Sequence, residues 1–183
     1  VSGCVGTSSV GVFGSGVSVA TDPRTIGTQI DDSIMQKNLG ARLALLDKKY
    51  ILGVTVKVLD GRIFLSGKVD EPEEKLKITK MAWELNGTRS VKNNIRIRGK
   101  FSFKNSAKDL LITSQLRTAL IFNKQVKSAN YNIDTIDQKI YIFGIAHNDE
   151  EVDEIMKEAK QILYVQDIIP SILLISELSR QKK

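Results

Sequence analysis

Residues 54–67 read VTVKVLDGRIFLSG, and 77 positions further on residues 131–144 read YNIDTIDQKIYIFG. In the first stretch Val54, Val56 and Val58 alternate with Thr55 and Lys57, Asp60-Gly61 interrupts, and Ile63 and Leu65 resume the alternation. Alternation of period two on both sides of a dipeptide that accepts positive φ angles predicts a β-hairpin. The offset of 77 holds outside the hairpin without a gap. Leu39 and Leu43 fall on Leu116 and Leu120, Gly67 on Gly144, Ile78 and Ala82 on Ile155 and Ala159, and Val91 and Ile95 on Ile168 and Ile172. Apolar character recurs while charge does not, so the repeat records a duplicated core.

Working outward from the first hairpin, Met35, Leu39, Leu43 and Leu46 form one helical stripe, which predicts a helix over residues 31–46 with Asp31 and Asp32 at its N-terminus. After the hairpin, Pro72 with Glu73 and Glu74 opens a second helix that ends at Asn86-Gly87, and Val91, Ile95 and Ile97 form a last strand. The second copy predicts a helix over 107–122, strands over 128–136 and 139–146, a helix over 149–163 and a final strand over 166–175. Pro170 puts that final strand at a sheet edge or makes it begin late. The expected fold class is α+β: two tandem modules of order helix-strand-strand-helix-strand, each with two helices on one face of a three-stranded sheet. The expected divisions are an N-terminal segment over 1–28, a first module over 29–100, and a second module over 101–183 that ends in a short basic tail.

A chain of 183 residues with 42% hydrophobic content accommodates two such domains. With Cys4 as its single cysteine it has no internal disulfide, and His147 lacks a second soft ligand, so no metal site is expected. Neither a P-loop nor a dinucleotide fingerprint occurs, no catalytic constellation is evident, and no cofactor is implied. The pI of about 9.4 raises nucleic acid as a partner. The GXXG loop that clamps nucleic-acid backbone is absent between the helices, since Gly11-Val12-Phe13-Gly14 lies far upstream, and no nucleic-acid partner is expected.

Two stretches carry a resemblance. Ala20-Thr21-Asp22-Pro23-Arg24 running into Gly27-Thr28-Gln29-Ile30-Asp31-Asp32 resembles the entry to the first module of dual BON-domain outer-membrane lipoproteins that bind phospholipid. Val1-Ser2-Gly3-Cys4 resembles the end of a bacterial lipoprotein signal, in which the cysteine is lipidated. The uncharged Gly/Ser/Val-rich stretch after it reads as a tether, with a span of roughly 25 to 30 Å if flexible. The resemblance implies a non-enzymatic, lipid-anchored protein on the periplasmic face of the outer membrane of a Gram-negative cell, with Val5 in place of the Asp that retains lipoproteins in the inner membrane. It implies an anionic phospholipid membrane as partner and a role in envelope integrity. The alternative it leaves open is a periplasmic protein-interaction or chaperone-like adaptor that meets envelope proteins. In that family the first helix of the second module presents a Trp to the bilayer, and Leu111 stands at that position here. Lys108, Leu110, Leu111, Ser114 and Arg117 are therefore the candidate phospholipid-binding residues.

The two copies differ in charge. Residues 28–100 hold 15 Lys/Arg against 9 Asp/Glu, whereas residues 101–183 hold 11 of each. Strand alternation places Lys57, Arg62, Lys68, Arg96 and Arg98 on the sheet face that the helices leave open, either as a headgroup-attracting face or as a solubilising one. The equivalent face of the second copy reads Tyr141, Phe143, Leu173 and Ile175 with Ile136, an apolar patch expected to meet the other module, a second chain or lipid. Oligomeric state is not legible in the sequence.

Overall fold

A computed structural model describes residues 22–99 and 103–180, so Cys4 and the N-terminal tether lie outside the described residues. The first module comprises α1 (Ile26–Leu46), the short α2 (Lys49–Gly53), β1 (Val54–Leu59), β2 (Arg62–Val69), α3 (Pro72–Trp83), β3 (Ser90–Asn93) and β4 (Arg96–Ile97). The second comprises α4 (Phe103–Phe122), β5 (Tyr131–Ile136), β6 (Lys139–Ala146), α5 (Asp149–Gln161) and β7 (Asp167–Leu174).

Each hairpin forms as the alternation predicts. Val54 pairs with Gly67 through to Leu59 with Arg62, and Tyr131 with Gly144 through to Ile136 with Lys139, both antiparallel. The third strand joins the other side of the central strand in parallel, as β3 and β4 on β2 and as β7 on β6. Pro170 therefore sits in an edge strand, where its missing N–H interrupts no interior ladder. Asn94 and Ile95 divide the first module's last strand in two, and the Asn93 side chain accepts the Ile95 amide at 2.8 Å.

Helix α1 starts five residues before the position predicted from Asp31 and Asp32. Thr25 caps it, its hydroxyl accepting the Thr28 amide at 3.2 Å. Asp32 is thus inside the helix, almost fully buried, and it reaches the hairpin turn: its carboxylate accepts the amides of Asp60 at 2.6 Å and Gly61 at 2.8 Å. In the second copy Asp109 accepts the amides of Asp137 at 2.8 Å and Gln138 at 2.7 Å. A helix-borne carboxylate that satisfies a turn's orphan donors is repeated at the offset of 77.

Three apolar clusters stack through the molecule. Met35, Leu39, Leu43, Ile78 and Ala82 of α1 and α3 pack on Ile63, Leu65 and Val69 of the first sheet. Ile112, Leu116, Leu120, Ile155 and Ala159 of α4 and α5 pack on Ile140, Ile142 and Ala146 of the second. The third cluster joins the opposite faces of both sheets: Leu59 and Phe64 meet Ile136, Tyr141, Phe143, Ile145, Leu173 and Leu178. Four layers result, helices outside and two sheets face to face within. Stretches of β2 and β6 are consequently buried on both faces, because a strand between a helix layer and a second sheet has no wet side.

Candidate functional site

The seam between the sheets takes up most of the residues read as surface faces. Tyr141 and Phe143 are buried there, the Phe143 ring lies 5.7 Å from that of Phe64, Leu173 is buried, and Ile175 packs at the margin. Each side chain of this size that leaves water contributes on the order of 1.5 to 3 kcal/mol.

The reading of a basic sheet face open to headgroups is corrected by the same packing. Lys68 Nζ lies 2.6 Å from Asp137, Arg96 pairs with the same carboxylate at 3.2 Å, and Ser66 donates to Asp134 at 2.9 Å. Arg62 donates to the Glu177 carbonyl at 3.2 Å. Lys57 lines a cavity of about 180 Å³ at the seam together with Arg24 and Asn130, and burial holds its ammonium below the usual lysine value. Arg98 borders the seam, where it lines a cavity with Asp109 and Asp137, and pairs with Asp70 at 3.1 Å. Alternation carries no information about what covers the open side of a strand. Four of the five cations are committed to the second module or half-buried beside it.

The segment after β7 closes the seam. The buried carboxylate of Asp60 accepts the Ser179 amide at 2.9 Å and the Ser179 hydroxyl, and it also holds Arg89. Arg180 adds a pair to Asp31 at 3.8 Å.

The beginning of α4 remains available. Leu110 is 70% exposed and Leu111 44%, whereas Ile112 one position on is fully buried. Ile112, Leu116 and Leu120 form the inward stripe, so Leu110 and Leu111 have no share in the core beneath them. Ser114 is exposed and its hydroxyl donates to the Leu110 carbonyl at 2.9 Å. Arg117 leans toward β5, donating to the Ile133 carbonyl at 3.3 Å, and Lys108 approaches Gln138 at 3.4 Å. Among the described residues neither cation meets a carboxylate, so both charges remain available to an external anion. The structure therefore brings Lys108, Leu110, Leu111, Ser114 and Arg117 together on one helix with two bare leucines among uncompensated cations. Among the described residues, no helix is long and apolar enough to cross a membrane.

Comparison with known proteins agrees with the repeat. The model of the BON domain matches residues 31–99 and again 108–174. The chain is 31% identical over 117 residues to an uncharacterized protein of the gshII 5′ region of Anaplasma centrale, spanning 63% of this chain and 78% of that protein. It is 29% identical over 146 residues to the outer membrane lipoprotein DolP of Haemophilus influenzae, spanning 78% of this chain and 74% of the relative. To the osmotically-inducible protein Y of Escherichia coli it is 24% identical over 150 residues, spanning 81% and 75%. With both repeats matched and each built as two principal helices on one face of a mixed sheet, the chain belongs to the BON-domain family.

Proposed function

We propose that this chain is a non-enzymatic protein of the bacterial envelope that binds anionic phospholipid through the beginning of α4 and so supports envelope integrity. The observation that carries this reading is the pairing of exposed Leu110 and Leu111 with Lys108 and Arg117, apolar side chains for the acyl boundary beside cations for phosphate. One named relative, an outer membrane lipoprotein, supports the envelope setting. Lipid carried on Cys4 would supply attachment to the periplasmic face of the outer membrane, and the α4 contact would orient the modules, since tethering raises the effective concentration of a weak second site. An adaptor that captures proteins on the apolar sheet face of the second module has no surface to use, because the first module covers that face.

Full-length protein with Cys4→Ser should sediment with vesicles of phosphatidylcholine mixed with phosphatidylglycerol, and less so as salt rises. Leu111→Asp should weaken that binding about tenfold, by burying a charge where a leucine entered. Equal binding to pure phosphatidylcholine vesicles, or unchanged binding by Leu111→Asp, would contradict the reading.

A further inference from the structure

The two copies share a core, so an exposed apolar pair that the other copy replaces with small or polar residues is a difference the fold does not require. Among the described residues two such pairs occur, and neither lies on α4. Ile51-Leu52 in α2 stand where the second copy has Ser128-Ala129, and they are 61% and 97% exposed. Leu163-Tyr164 after α5 stand where the first copy has Asn86-Gly87, and they are 65% and 54% exposed. Tyr164 has a φ of 70°, in the left-handed region that its counterpart Gly87 occupies freely at 88°. A bulky residue there is strained, and the fold's own copy shows that glycine suffices.

One member of each pair, Leu52 and Tyr164, lies next to the beginning of α4. Leu52 lines a cavity at the seam that Asn105 and Ser106 of α4's first turn also line. The Lys108 ammonium, also near the start of α4, sits 5.1 Å from the centre of the Tyr164 ring, a cation–π contact, and Leu111 lies one turn on from Lys108. Lys104, Lys108 and Lys160 form no ion pair among the described residues, while Asp109 turns inward to the hairpin and Asp167 pairs with Lys139. Nothing in the core needs these four side chains exposed.

We propose that Ile51-Leu52 and Leu163-Tyr164 extend the α4 contact into one rim, drawn from both modules, that rests on an anionic lipid surface. This rests on the phospholipid reading above and adds the first module to it. The rim couples the seam to the membrane: α2 and α4 reach the same surface only while the two sheets stay packed. Tyr164 supplies the interfacial aromatic ring that Leu111 lacks, with Lys108 held against it to reach phosphate.

The experiment compares full-length Cys4→Ser protein with the same chain carrying Tyr164→Gly or Leu52→Ser, on vesicles of phosphatidylcholine with phosphatidylglycerol. Each variant should bind about tenfold more weakly than the parent. Tyr164→Gly should melt at the same or a higher temperature, because glycine relieves the positive φ. In a Trp83→Phe background, Tyr164→Trp should show a blue shift in emission when vesicles are added. If the parent binds while both variants bind equally well and the reporter does not shift, the rim is wrong and the α4 contact stands. Absence of parental binding would overturn both.

Discussion

Glu74 and Glu151 hold the same place in the two modules, and each ties a helix to the loop before it. Glu74 accepts the amides of Asp70 at 2.8 Å and Glu71 at 3.0 Å, while Glu151 accepts those of His147 at 2.9 Å and Lys127 at 2.8 Å. Glu74 also takes Lys49 at 2.5 Å and the Tyr50 hydroxyl at 2.6 Å, which fastens α2 to the start of α3. Lys49 first, and then Tyr50, hold the Glu74 carboxyl down to about 2. Burial, reinforced by Glu74, pushes the Tyr50 phenol up to about 12. Because the folded value lies below the ordinary carboxylate range, this stabilisation is complete above about pH 4.5 and is lost as pH falls toward 2. Glu74→Gln should cost about 1 kcal/mol at neutral pH in chemical denaturation and flatten the stability profile between pH 4.5 and 2. An unchanged acid limb would contradict that role.

At the scale of elements the hairpins are the most legible parts. Strand alternation with Asp60-Gly61 between the runs is local information, and the observed register obeys it. Gly67 recurs as Gly144 for a steric reason, since its φ is 127° and a Cβ there would overlap the Gly53 carbonyl oxygen across the hairpin. Gly67→Ala should lower unfolding free energy by about 3 kcal/mol, read from denaturant midpoints, or prevent folding outright. The start of α1 was less legible, because an acidic pair reads as a helix N-terminus by dipole complementarity whereas Asp32 acts over 28 residues on a turn amide. The agreement of Asp32 with Asp109 at the offset of 77 was the available signal. Short α2 offers too few residues for a periodic pattern, which hid the exposure of Ile51 and Leu52. Tyr164 gave no signal except that it replaces a glycine of the other copy.

At the scale of the whole molecule, duplication solves a covering problem. A sheet with helices on one face leaves the other face exposed, and here each module covers its sister's sheet. The charge difference between the copies then has a structural use, with Lys68 and Arg96 of the basic copy meeting Asp137 of the other. This arrangement was beyond sequence reading, because face composition fixes what a face could contact and not which contact forms first. On the proposed phospholipid reading, the end where α4 begins, rather than the sheets, is the surface that meets lipid. Residue-resolved amide shifts, recorded on full-length Cys4→Ser protein titrated with phosphatidylglycerol-containing bicelles, test this most directly. Shifts should concentrate at residues 108–117, with 51–52 and 163–164, and be absent at Lys57, Lys68 and Arg96; shifts centred on those three sheet residues, with α4 silent, would overturn lipid binding at this end.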